Sequence, residues 1–209
     1  MSLTQRNYQF ELRAQQDEKH GHHVVGRPIV YNSRTDIGPF DEIIEPGALA
    51  KTNLKDVRFL VNHNTSMIPL ARSRNNNENS TMQMTVDETG MAIRVDLDVE
   101  RNSEARSLYS AIERGDISGM SFMFSVDEET WENLGSDHPT RRILSIGEVA
   151  EVSAVTFPAY EATEITARDK SALDSARLAL ESARSHPPDG GTGDNLINLE
   201  KAKNRNRSY

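Results

Sequence analysis

The stretch GMSFMFSV, residues 119–126, alternates bulky apolar side chains with small or polar ones. A period of two residues is typical of a β-strand whose two faces meet different surroundings. One face is apolar and the other carries the serines; in order, the faces hold Met120, Phe122, Phe124 and Val126, and Gly119, Ser121, Met123 and Ser125. The stretch therefore predicts a strand that offers a serine on its non-core side, with Gly119 leaving room beside it.

The segments on either side predict more strands and one helix. Alternation indicates strands near residues 8–12, at 24–32 with a bulge or edge at Gly26 and Pro28, at 57–63 and at 148–157, and a hairpin within 80–100 that turns at Thr89-Gly90. Residues 101–115 have helical spacing, an Asn102 or Ser103 cap and Gly115 after the end. The acidic segment DEETWENLGSDHPT (127–140) is expected to be a loop. The fold class predicted is α+β, mostly an antiparallel curved sheet or small β-barrel with a few helices.

The last 41 residues, 169–209, differ from this body. Residues 169–185 predict a helix, HPPDGGTGDN (186–195) has linker composition, and KAKNRNRS (201–208) is a short basic tail. We therefore divide the chain into a domain at residues 1–168 and a helical and disordered C-terminal arm at residues 169–209.

Composition excludes several classes of function. The net charge of −8 argues against a broad basic face for nucleic acid. The absence of cysteine excludes disulfides, thiolate metal sites and a cysteine nucleophile. No apolar run has the roughly 20 residues that a membrane span needs. These features predict a soluble intracellular protein without a membrane association.

Three residues on separate predicted strands could form a nucleophilic site. Ser121 needs a base within reach, and His63 ends the 57–63 run beside Phe59 and Val61. Glu151 shares a predicted face with Val149, Ser153 and Val155, and a carboxylate among apolar neighbours needs hydrogen-bond donors such as an imidazole N–H. Each residue also has an ordinary interpretation, as a solvated serine, a core histidine and an exposed glutamate.

Seven motifs occur in an order and spacing that identify a family. They are GRPIVYN, FDEIIEPGAL, FLVNHN followed by PLAR, DETGMAIRVDLD, the helix ending RGD, ISGMSF and AEVSAVTFPAY, within about residues 8–168. In these motifs the chain resembles the capsid maturation (prohead) proteases of tailed phages, a family related to the herpesvirus assemblins. It has Met123 and Ala71 where the family usually has glycine.

The resemblance implies a serine endopeptidase and assigns its residues. Ser121 would be the nucleophile, His63 the general base and Glu151 the group that orients the histidine; Ser118 is a competing nucleophile. Oxyanion donors would be backbone N–H groups, with Arg72, Arg141 and Arg142 as candidate contributors.

The resemblance also implies a biological setting. The expected substrates are the scaffold segment of the major capsid protein and the protease itself, cut inside the immature capsid in the host cytoplasm. A homo-oligomer and control of activity before assembly are expected, without a cofactor or metal. The arm at 169–209 would be a capsid-targeting or self-cleaved segment, or an end without a role.

Two other function classes stay open at this stage. One is an inactive capsid scaffolding or assembly protein of the same fold. The other is a metal-dependent hydrolase that uses His20, His22 and His23 of the KHGHH stretch. Because that stretch lacks a second pair of ligands at matching spacing, a turn with incidental histidines is the preferred interpretation.

Overall fold

The computed structural model describes residues 4–8, 12–156 and 167–186. Two β-sheets and two helices account for most of this part. The elements are β1 (Thr4–Tyr8), β2 (Arg13–Asp17), β3 (Gly21–Val30), β4 (Arg34–Asp36), β5 (Asp41–Ile44), β6 (Arg58–Val61), β7 (Ala71–Arg72), β8 (Met82–Asp87), β9 (Gly90–Asp96), α1 (Ser103–Glu113), β10 (Gly119–Glu132), β11 (Thr140–Val155) and α2 (Ala167–Ser185).

The strand order confirms the α+β prediction. The larger sheet has seven strands in the order β1-β10-β11-β5-β4, with β6 also pairing with β11 and β7 with β6. The smaller sheet has four antiparallel strands in the order β2-β3-β9-β8. Most pairs are antiparallel, but β11 runs parallel to β5 at one end and to β6 at the other. In the described part of the chain the sheets do not close into a barrel.

The apolar faces of both sheets and of α1 share one core. Phe122 and Phe124 of β10 are fully buried there, with ring centroids 4.9 Å apart. Burying a side chain of this size stabilises the fold by about 1.5–3 kcal/mol relative to exposure. Further members of this core come from β6, β8, β9, α1 and β11: Phe59, Met82, Met91, Leu108, Ile112, Val149 and Val152. The apolar face predicted for residues 119–126 is therefore the core face of β10.

The predicted hairpin is present as β8 and β9. The turn residues are Glu88 and Thr89, and Gly90 is already the first residue of β9. A side chain is excluded at Gly90 because its φ is 136° and a Cβ would lie 2.0 Å from the Ile29 oxygen. The register of β3 against β9 shifts between Gly26 and Ile29, so the predicted irregularity at Gly26 and Pro28 is a bulge.

The predicted helix is α1. The Asn102 side chain accepts hydrogen bonds from the Glu104 and Ala105 backbone N–H groups, which makes Asn102 the N-cap. Gly115 follows the helix with a φ of 80°, the left-handed conformation that glycine adopts without steric cost.

The acidic loop predicted at residues 127–140 is wrong for half of its length. β10 continues to Glu132 and β11 begins at Thr140, so only a short connection remains. The acidic side chains are paired across the hairpin: Arg141 Nε donates to Glu129 at 2.9 Å and Arg142 Nε donates to Glu132 at 2.6 Å. Charge composition indicated solvent exposure, whereas cross-strand pairing allows these residues to extend the sheet.

The C-terminal arm contributes a helix that packs on the body. The helix predicted at 169–185 is confirmed as α2. Its Ala176 and Leu180 are buried against Phe40, and Trp131 and Leu134 pack around this small cluster. The division of the chain at residue 168 stays a prediction, and residues 187–209 lie outside the described part.

Candidate active site

Ser121 lies on the non-core face of β10. It is directly opposite Ser153 of β11, which in turn is opposite Leu60 of β6. The adjacent residues Phe122, Val152 and Phe59 are likewise paired across the three strands, and all three are fully buried in the core. Alternation from the core therefore fixes the direction in which the Ser121 hydroxyl points.

His63 reaches this face because the chain leaves the strand just before it. β6 ends at Val61, and Asn62 and His63 both have left-handed backbone angles, with φ of 50° and 54°. The prediction that the strand extends to residue 63 and places His63 beside Phe59 is thus wrong. Such a conformation costs a non-glycine residue of order 1–3 kcal/mol.

Hydrogen bonds to the end of β11 compensate for this turn. The Asn62 N–H donates to the Ala154 oxygen at 2.9 Å, and its side chain pairs with Thr156 through bonds of 3.1 and 3.0 Å. The His63 N–H donates to Ser153 Oγ at 3.1 Å. The turn is therefore fixed to the strand that carries Glu151.

Glu151 lies on the face of Ser121 and Ser153 by regular alternation along β11, and an irregularity in the sheet adjoins it on the other side. Met123 is opposite Glu151 but Phe124 is opposite Val149, so Ala150 is an extra residue of β11. The bulge turns Val149 into the core, which corrects the prediction that Val149 and Glu151 share a face. Glu151 is instead buried on the side of Ser121 and Ser153.

The three predicted residues are joined by hydrogen bonds. His63 Nε2 lies 2.6 Å from Ser121 Oγ, and His63 Nδ1 is hydrogen-bonded to Glu151 Oε1. Because an ionised carboxylate only accepts, Nδ1 carries the proton and Nε2 is the acceptor for the Ser121 hydroxyl. The arrangement is therefore a nucleophile next to a base, and a base next to an orienting acid.

The site is almost completely enclosed. Ser121 has no exposed surface, and the side chains of His63 and Glu151 are 11% and 5% exposed. A buried carboxylate is costly unless it accepts hydrogen bonds, and Glu151 accepts one on each oxygen, from His63 and from Ser153 Oγ at 2.6 Å. Low exposure strengthens the electrostatic interactions between these groups.

Ser153 is a site residue that the sequence analysis missed. Its hydroxyl contacts both Glu151 and the backbone of His63. Its position two residues after Glu151 on the same strand was the available signal, because residues i and i+2 share a face.

Ser118, the competing nucleophile, lies elsewhere. It is exposed and precedes the first residue of β10. The hydroxyl next to His63 Nε2 is that of Ser121.

The arginines considered as oxyanion donors are engaged in ion pairs. Arg141 is opposite Trp131, ten residues along β10 from Ser121, and donates to Glu42 at 3.1 Å; Arg142 is its neighbour. Arg72 donates to Asp56 at 2.8 Å, and this hydrogen bond holds the pKa of Asp56 below its usual range. Within the described part of the chain, the hydrogen bonds of these three guanidinium groups go to carboxylates and not to Ser121 or His63.

Among the residues that the structure describes, the histidines of the KHGHH stretch do not belong to a group with metal-ligand spacing, although His20 and His23 both lie near Asp17. His20 is hydrogen-bonded to Asp17, His22 packs edge-on against Tyr109, and His23 lies 3.3 Å from the Gln15 side-chain oxygen. Among the described residues, the set with metal-ligand spacing is a different one, formed by Asp36, Asp41 and His138. Its Asp41 already binds the Arg34 guanidinium at 2.6 Å.

Comparisons with known proteins find similar phage proteases. The family model described as caudovirus prohead serine protease matches residues 8–176, which include Ser121, His63 and Glu151. The prohead protease of Enterobacteria phage HK97 is 30% identical over 146 residues, which are 68% of this chain and 58% of that protein. The chain thus spans less than two thirds of the length of this relative.

A solved structure is also similar to this chain. It is the bacteriophage T4 capsid assembly protease, with a TM-score of 0.40 and 13% identity over 74% of this chain and 99% of that one. In the described part of the chain, no helix is both long and apolar enough to cross a membrane. The family match over most of the sequence shows that this chain belongs to the caudovirus prohead serine protease family.

Proposed function

We propose that this chain is a serine endopeptidase that removes the scaffold segment of the major capsid protein, and cuts itself, during phage prohead maturation. The observation that carries the proposal is the hydrogen-bonded series from Ser121 through His63 to Glu151. Family membership supports the choice of substrate. The protein would act inside the immature capsid in the host cytoplasm, as a homo-oligomer.

The geometry supports a two-stage acyl transfer. His63 Nε2 takes the Ser121 proton while Oγ forms a bond to the scissile carbonyl carbon, and Glu151 stabilises the imidazolium that results. Collapse of the tetrahedral intermediate breaks the C–N bond, and the imidazolium gives its proton to the leaving amine. Water then loses a proton to His63, attacks the acyl group and releases Ser121 with its hydroxyl restored.

The enclosed site also supports control of activity before assembly. Ser121 has no exposed surface in this structure. A scissile carbonyl therefore reaches Oγ only after the covering residues move.

Co-expression with the cognate major capsid protein tests the proposal. Intact-mass measurement of the capsid protein is expected to show removal of one terminal segment. A fluorophosphonate should block this cleavage, whereas EDTA should leave it unchanged because no metal enters the mechanism. Full-length capsid protein in proheads that contain this chain would instead support an inactive scaffolding protein. Sensitivity to EDTA would support a metal-dependent hydrolase.

Glu151→Gln is expected to lower kcat by about 10⁴-fold, because an amide no longer provides two acceptor oxygens and the imidazole tautomer is lost. The measurement is steady-state cleavage of a peptide that spans the mapped cleavage site. Glu42→Gln is a matched control, since Glu42 is equally buried but pairs with Arg141. This control should lose stability and keep its turnover. Equal turnover in the two variants would contradict the role of Glu151.

A further inference from the structure

We propose that Ser153 is a positioning residue of this site, whose hydroxyl holds Glu151 and the His63 backbone in fixed relation. The inference rests on the proposed protease function. It adds a fourth side chain to the series, one that touches neither the substrate nor the reacting atoms.

The Ser153 hydroxyl donates one hydrogen bond and accepts another. Oγ donates its single proton to Glu151 Oε2 at 2.6 Å and accepts the His63 N–H at 3.1 Å. The roles cannot be exchanged, because a carboxylate accepts and a backbone N–H donates. One atom therefore connects the acid of the series to the main chain of the base.

The backbone around His63 explains why this connection is needed. The left-handed angles at Asn62 and His63 remove residue 63 from the ladder between β6 and β11. The His63 N–H accordingly bonds to a side chain of β11, while the Asn62 N–H bonds to the backbone oxygen of Ala154. Without the Ser153 hydroxyl, this part-buried N–H would lose its acceptor and the turn could relax.

The Glu151 carboxylate also depends on the Ser153 hydroxyl. His63 binds only Oε1 of Glu151, and Ser153 binds the other oxygen. Two donors on different oxygens set the rotation of the carboxylate plane as well as its position. Ser153 has no exposed surface, so water would not readily replace its hydroxyl. The orientation that the carboxylate presents to the imidazole therefore depends on Ser153.

Ser153→Ala is expected to lower kcat by about 10- to 100-fold and to change KM by less than about 3-fold, since misplacement of a catalytic group affects the chemical step. The assay is steady-state cleavage of a peptide that spans the capsid cleavage site. Ser125→Ala is the matched control. Ser125 is a buried serine of the neighbouring strand whose Oγ accepts the Glu148 N–H at 3.1 Å, away from the three site residues. This control should keep kcat within about 2-fold.

A double-mutant cycle separates positioning from general packing. In a Glu151→Gln background, adding Ser153→Ala should lower kcat by a smaller factor than it does in the wild-type background, because the part that acts through the carboxylate is already lost and only the contact with the His63 backbone remains. An equal or larger loss in that background would overturn the proposal. If the alanine variant does not fold by circular dichroism, Ser153→Cys is measured instead, because a thiol keeps the bulk but is a weak donor. A wild-type rate for that variant would also overturn it.

The same measurements distinguish this inference from the proposed function. If the wild-type protein cleaves the peptide and Ser153→Ala behaves like Ser125→Ala, only the positioning role is wrong. If the wild-type protein, taken from proheads, cleaves neither the capsid protein nor the peptide, both proposals fail.

Discussion

Ser121→Ala is expected to reduce cleavage of the capsid protein by at least about 10⁴-fold, to the level of the uncatalysed background of the assay. The change removes the oxygen that forms the acyl bond. In the described part of the chain, no other hydroxyl is hydrogen-bonded to His63 Nε2. The measurement is the rate of product formation by mass spectrometry after co-expression, with kcat from the peptide assay.

The matched control for this prediction is Ser118→Ala. Ser118 is three residues away and exposed, and it should be replaceable with little effect on rate or stability. Melting temperatures show whether both variants are folded. Normal processing by Ser121→Ala would mean that the nucleophile is another residue, and loss of processing only in Ser118→Ala would identify it.

His63→Ala is expected to lower kcat by about 10⁶-fold, because it removes the proton acceptor of the first step and the proton donor of the second. The variant should also lose the contact that occupies Glu151 Oε1. Stability is expected to fall by about 1–3 kcal/mol, since a buried charge is left with fewer donors. The measurements are peptide turnover and denaturant unfolding of the same preparation.

His23→Ala serves as the control for His63→Ala. His23 is a buried histidine on β3, 3% exposed, whose ring nitrogens lie 3.1 Å from the Gly21 oxygen and 3.3 Å from the Gln15 side-chain oxygen. Its removal should destabilise the fold without a comparable loss of turnover. If both histidine variants lost turnover in proportion to stability, His63 would be a core residue and not a base.

The sequence was sufficient for the elements whose signals are local. The hairpin at β8 and β9, the cap at Asn102 and the core face of β10 follow from turn chemistry, side-chain hydrogen bonding and period-two alternation, each of which acts between near neighbours. The loop prediction failed for residues 127–132 because Glu129 and Glu132 pair with Arg141 and Arg142, which come later in the chain.

For the candidate site, the sequence determined which residues are present and the tertiary structure decided how they meet. Alternation and family motifs selected Ser121, His63 and Glu151, but alternation alone would have directed His63 into the core. The left-handed turn at residues 62–63 directs His63 to Ser121, and the extra residue in β11 lets Val149 enter the core while Glu151 stays on the site face. Such turns and bulges are stabilised by partners distant in the chain, as Ser153 is for His63, and no local pattern encodes them.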